Sequence, residues 1–146
     1  MKKLLLALFV VLGFTFVGCV SPSTKTVCEK PNASLTNTYW KLISVDSKKV
    51  TPPAHNKREA HIIFSQNKVK GNSGCNAMVN GSYILENDKL SISKPMAMTR
   101  MLCMKSNERE FLQALSSMRF YKIVGEKLFI FDNKHTLLAK FESVYL

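Results

Sequence analysis

The chain has 146 residues, with 21 Lys and Arg against 10 Asp and Glu, a formal net charge of +11. Such a balance favours anionic partners, namely lipid headgroups, nucleic acid or acidic glycans. The sequence carries no nucleic-acid motif, its positive charges are scattered in runs no longer than two, and no internal repeat or low-complexity block is present.

Lys2-Lys3 is followed by an apolar run from Leu4 to Val17, then Gly18-Cys19. This is the layout of a signal peptide over residues 1–18, with an apolar stretch too short to span a bilayer comfortably. A small residue directly before a cysteine resembles the lipobox of bacterial lipoproteins, although Phe16 stands where Leu is usual. The resemblance implies lipidation at Cys19 and cleavage before it. Val20, rather than Asp, follows the cysteine and implies sorting to the outer membrane, with the domain facing the periplasm. Three acyl chains at ~0.8 kcal/mol per buried methylene would anchor the chain almost permanently. Without Lys2 and Lys3 the charge is still +9, 19 basic against 10 acidic residues.

Residues 19–37 are polar, contain Pro and Ser, and show no hydrophobic period, so they read as a lipidated N-terminus and flexible tether. Residues 38–146 form the folded domain, with one core. Export places the cysteines where disulfides persist. With Cys19 lipidated, three remain. Cys28 lies in the tether and Cys75 and Cys103 lie in the domain, so Cys75 is expected to pair with Cys103, leaving Cys28 over.

Within the domain, Tyr39 to Val45 is aromatic and β-branched and reads as a strand, with Trp40 and Leu42 on one face turned to the core. Thr51 to Arg58 is a loop, because Pro52-Pro53 cannot sit in a ladder. His61 to Phe64 and Lys68 to Gly71 are strands joined by a turn at Gln66-Asn67. Asn80-Gly81 signals a turn before the strand Ser82 to Leu85, and Asn87-Asp88 a turn before Leu90 to Ser93. Asn107 and Glu110 have capping-box spacing, and Phe111, Leu112, Ala114, Leu115 and Met118 fall on one helical stripe. Phe120 to Val124, Lys127 to Phe131 and Thr136 to Phe141 read as a closing meander. The expectation is a mainly β (α+β) fold. About eight strands form a curled antiparallel sheet or small barrel, with one packed helix.

Two segments carry a family resemblance. One is Val69-Lys70-Gly71-Asn72-Ser73-Gly74-Cys75-Asn76, followed by Gly81-Ser82-Tyr83. The other is Ala97-Met98-Thr99-Arg100-Met101-Leu102-Cys103, followed by Glu110 and the helix. With Trp40 near the domain start and Lys127-Leu128 after the helix, the chain resembles the META domain over about Leu35 to Phe141. Among its members it is most similar to a heat-shock-inducible lipoprotein. The resemblance implies a compact, mainly β fold with one helix, no defined enzyme activity and a link to envelope stress. Its element residues here are Gly74, Cys75, Asn76, Met98, Thr99, Arg100, Met101 and Cys103.

No hydrolase constellation emerges. His55, His61 and His135 sit in no motif, and Gly71-Asn72-Ser73-Gly74 lacks both the Gly-x-Ser-x-Gly spacing and a phosphate-loop ending. Glycines there are better read as letting the chain turn so that Cys75 reaches Cys103. No cofactor or catalytic residue is expected. Met96, Met98, Met101 and Met104 around Cys103 are soft donors suited to Cu(I), against the plainer reading of Met as core filler. Arg100 has two readings: a carboxylate or phosphate ligand, or a structural residue tied to a carbonyl, Glu108 or Glu110. The expectation is a non-enzymatic envelope lipoprotein that acts by binding or maintenance. Its partners would be the membrane, through the lipid, and anionic phospholipid or an envelope protein. The alternatives are a periplasmic protease or lysozyme inhibitor or adaptor acting through Thr51 to Arg58, and a Cu(I)-binding protein.

Overall fold

The computed structural model describes residues 31–50, 58–104 and 106–145. The signal segment, Cys19, Cys28 and most of the proline loop lie outside the described residues.

Among the described residues, ten strands and one helix follow in chain order: β1 Tyr39–Val45, β2 Lys48–Lys49, β3 His61–Ser65, β4 Lys68–Asn72, β5 Ala77–Glu86, β6 Lys89–Lys94, β7 Ala97–Met98, α1 Glu108–Ser117, β8 Phe120–Val124, β9 Lys127–Phe131 and β10 Leu137–Val144. Eight of them form one antiparallel circuit, β1-β3-β4-β5-β6-β8-β9-β10, which returns to β1. The two-residue strands β2 and β7 hang on β1 and β5. Closing the circuit removes free sheet edges, but the closure is uneven. The β10–β1 join is long, running from Tyr39↔Val144 to Val45↔Ala139. The β6–β8 join has the single register pair Lys89↔Phe120, flanked by backbone bonds from Leu90 N to Arg119 O and from Tyr121 N to Asp88 O.

The alternation in β1 and β3 puts Trp40, Leu42, Ile62 and Phe64 inward, and all four are buried. They meet Val69, Met78, Tyr83, Leu90, Leu128, Ile130 and Phe141 from the other strands. α1 packs on β6, β1 and β10 and adds Phe111, Ala114 and Leu115, with Met118 just past its end. Phe111 and Phe141 touch with centroids 6.0 Å apart. Large side chains therefore fill the interior. The indole N–H of Trp40 donates to the Leu35 carbonyl at 3.0 Å, which satisfies its buried polar atom.

Three local readings differ from the structure. Asn80-Gly81 is not a hairpin turn, because β5 runs straight through it. Val69 pairs with Gly81 and Gly71 with Met78, so two steps along β4 match three along β5, which is a β-bulge. Asn80 takes the left-handed φ of 60° that the bulge requires. A Cβ on Gly81 would collide with the Met96 and Val69 side chains. The positive-φ chemistry that makes Asn-Gly a turn signal here serves a bulge.

The capping box of Asn107 is also not formed. Asn107 does stand at the N-cap, but at φ −88°, ψ 21° instead of the extended geometry a side-chain cap needs, and its side chain makes no cap bond. Finally, the last residues of the segment read as a tether are held on the fold. Leu35 is buried, Asn37 N donates to Phe64 O, Ala33 N to Gly125 O, and the Asn32 side chain accepts from Gly125 N.

Candidate functional site

The two family elements and the start of α1 meet at one place. The chain leaves β4 at Asn72 and turns tightly through Gly74, whose φ of +89° an L side chain rarely adopts. Asn72 Oδ1 accepts from Gly74 N at 2.8 Å, and Ser73 N donates to Asn76 O at 2.9 Å. This turn presents Cys75 to Cys103. The two form a disulfide with Cα atoms 5.9 Å apart, within the usual span.

Asn76 is the hub. Its amide nitrogen donates to the Glu108 carboxylate, at 2.9 Å to Oε1, and to Met101 O at 3.2 Å. Its amide oxygen accepts from Thr99 Oγ1 at 2.9 Å and from Met101 N at 2.7 Å. All four hydrogen-bonding positions of the side chain are used, as a residue only 4% exposed requires. Ser73 Oγ donates to Glu108 Oε1 at 2.6 Å and accepts from Asn76 N at 2.8 Å. Thr99 Oγ1 also accepts from Ala77 N at 3.1 Å, and Thr99 N donates to Ala77 O.

The element residues thus divide. Gly74, Cys75, Asn76, Thr99, the Met101 backbone and Cys103 form a polar clamp that ties the β4–β5 turn to the loop after β7. Met98 pairs with Met78 and packs half-buried on the core. Arg100 is exposed and, among the described residues, makes no ion pair. Of its two suggested carboxylates, Glu108 belongs to Ser73 and Asn76, and Glu110 faces Arg109 at 3.4 Å.

Glu108 and Ser73 are the site residues that sequence reasoning missed. Nothing in the spacing shows that a carboxylate at the first helical position reaches back thirty-odd residues. Its negative charge also suits a helix N-terminus, and bonds from Asn76 and Ser73 stabilise it there. Ser73 is 1% exposed and closed to any substrate.

The four methionines do not share one environment. Met96 and Met98 pack against the core, whereas Met101 and Met104 are 58% and 77% exposed. Cys103 is bonded to Cys75, so its thiolate is not free as a soft ligand. Of the inhibitor loop Thr51 to Arg58, only Arg58 is described, and it is exposed.

A second polar cluster joins β1 to the start of β3. Lys41 Nζ pairs with Glu59 Oε2 at 2.7 Å, Tyr39 OH donates to Glu59 Oε1 at 3.1 Å, and His61 stacks on Tyr39 at 4.2 Å. Partial burial pushes the Glu59 carboxyl up, but hydrogen bonds from Lys41 and Tyr39 outweigh it and hold the group below its ordinary value. Burial lowers His61 against the carbonyl of Glu59, which favours its charged form. Burial first, and the Glu59 carboxylate second, raise the Tyr39 phenol.

The comparison with curated proteins returns no match. Among solved structures, the chain is similar to a protein determined by NMR. The two are 24% identical with a TM-score of 0.56, covering 75% of this chain and 94% of the other. At that identity the likeness speaks for the fold alone. The family profile of the META domain matches residues 33–145, which takes in every strand, the helix and the clamp. The chain belongs to the META domain family.

Proposed function

We propose that this protein is a non-enzymatic envelope lipoprotein of the heat-shock-inducible (HslJ) META type, held at the outer membrane through Cys19 and acting by binding or envelope maintenance. The observation that carries the reading is the pairing of an export signal with an internal disulfide. Lys2-Lys3, the apolar run and Gly18-Cys19 direct the chain out of the cytoplasm. Cys75–Cys103 staples a domain that then lives where such bonds persist.

The clamp supports a structural role for Gly74, Cys75, Asn76, Thr99 and Cys103, because the polar atoms of Asn76 and Thr99 are spent within it and the two cysteines on each other. Closing the 28-residue separation between the cysteines is worth roughly 3–4 kcal/mol by chain entropy.

Radiolabelled palmitate tests the anchor. It is expected to enter the wild-type chain and not Cys19→Ala, and the variant is expected to leave the membrane fraction. Equal labelling of the two chains defeats the lipoprotein reading.

A further inference from the structure

The loop after β7 carries a feature that neither the core nor the clamp explains. Leu102 is 96% exposed, next to Met101 at 58%. Isolated exposed apolar residues are ordinary, but this one is held out by construction. Both backbone groups of Met101 are bonded to the buried Asn76 side chain, and Cys103 is bridged to Cys75. Leu102 lies between these two fixed points and cannot fold back onto the core. The rim around it is cationic. Arg100 shares a surface groove with Met101 and Leu102, Arg58 shares one with Met101 and Cys103, and Arg109 lines a third with Cys103. All three arginines are exposed. The acidic groups nearby are Glu108, bonded to Ser73 and Asn76, and Glu110, beside Arg109.

We infer that the Arg100–Cys103 tip docks on an anionic phospholipid surface, with Met101 and Leu102 entering the interface and Arg58, Arg100 and Arg109 binding lipid phosphates. Guanidinium groups pair with phosphate bidentately and snorkel readily around an apolar body. Two apolar side chains are too little for the core of a stable protein interface, which buries about 800 Å² on each side. They suffice for a shallow interfacial contact that charge supplements. The tip would set the orientation of the domain against the bilayer. The inference deepens the proposed envelope location and rests on it.

A tryptophan at the tip reports the contact. Full-length Leu102→Trp, purified with its native processing, is placed with vesicles of phosphatidylcholine, with or without phosphatidylglycerol, in which the acyl chains are brominated. Buried Trp40 is the internal baseline. Because residue 102 is exposed, the variant is expected to melt with the wild type.

With phosphatidylglycerol, the new tryptophan is expected to shift to the blue and be quenched, while wild-type emission is unchanged. Arg100→Glu in the same background is expected to lower the ratio of docked to undocked tips, read as bromine quenching of the new tryptophan, about tenfold at low salt while the lipid still holds the chain on the vesicle. Red, unquenched emission on both vesicles overturns the inference, as does equal quenching with and without phosphatidylglycerol. A blue shift that depends on protein concentration without vesicles also overturns it, in favour of a second copy of the chain. Palmitate labelling reads the anchor separately. A labelled chain with an unquenched tip defeats the docking alone, and an unlabelled chain with a quenched tip defeats the anchor alone.

Discussion

Asn76 shows how a single side chain holds the clamp together. It bridges the β4–β5 turn, the loop after β7 and the helix start, and it does so from a buried position. Asn76→Ala removes four bonds and leaves the Met101 N–H and part of the Glu108 carboxylate without partners. Unmade buried hydrogen bonds cost more than the net worth of made ones, so a loss of about 2–4 kcal/mol is expected, seen as a lower urea midpoint with an unchanged slope. Asn76→Asp is expected to be at least as damaging, because it sets a second carboxylate against Glu108. Trp40 is the other residue on which much depends. It is fully buried at the centre of the core, and Trp40→Ala is expected to cost ~3–5 kcal/mol. Its native emission is expected to be blue and resistant to acrylamide until the protein unfolds.

At the scale of elements, the β1–β3 join carries the pH dependence expected of the fold, through Glu59 and His61. Glu59 and His61 both have folded values below their ordinary 4.5 and 6.5. A lowered value means that the folded state resists protonation. The contribution of His61 is then complete above about pH 6.5 and fades as pH falls below it. That of Glu59 is complete above about pH 4.5 and fades on further acidification through its folded value. Stability is therefore expected to decline in two stages on acidification. His61→Gln is expected to flatten the upper stage and Glu59→Gln the lower one, in urea midpoints measured across pH. Each effect is expected to stay within about 1 kcal/mol, since the Lys41–Glu59 pair is partly open to solvent. Other elements were legible in outline. The strands at Tyr39, His61, Phe120 and Lys127 follow from alternation and turn residues. The bulge at Asn80 does not, because left-handed Asn looks the same in a turn and in a bulge until its partner strand is known.

For the whole molecule, the uneven closure of the strand circuit sets where the fold opens. The β10–β1 join is long and backed by Trp40, Leu42 and Phe141. The β6–β8 join has one register pair and two flanking backbone bonds. Local opening follows the least-supported joins. Leu42 N bonds to Ala60 O and Ser143 N to Glu126 O, away from the β10–β1 join, so the amides that face across it belong to the Lys41↔Glu142 pair. Amide exchange at Leu90 and Tyr121 is therefore expected to be faster than at Lys41 or Glu142, measured on the native protein by hydrogen–deuterium exchange. Equal protection across the two joins would show the circuit to open as one unit.

By itself, the sequence determined the class of fold, one antiparallel sheet with a helix on it, because period-2 and period-3.6 patterns of apolar residues are local properties of the chain. It also carried the family elements and the orientation of Trp40. Only the tertiary structure decided what those elements do. Asn76, Thr99 and Glu108 lie on three separate segments, and hydrogen-bond partners across 23 to 32 residues are settled by how the sheet curls and not by any local preference. The same holds for the exposure of Leu102. Its sequence neighbours are apolar and read as core, but the Met101 backbone is bonded to buried Asn76 and Cys103 is bridged to Cys75, which leaves the residue between them in solvent.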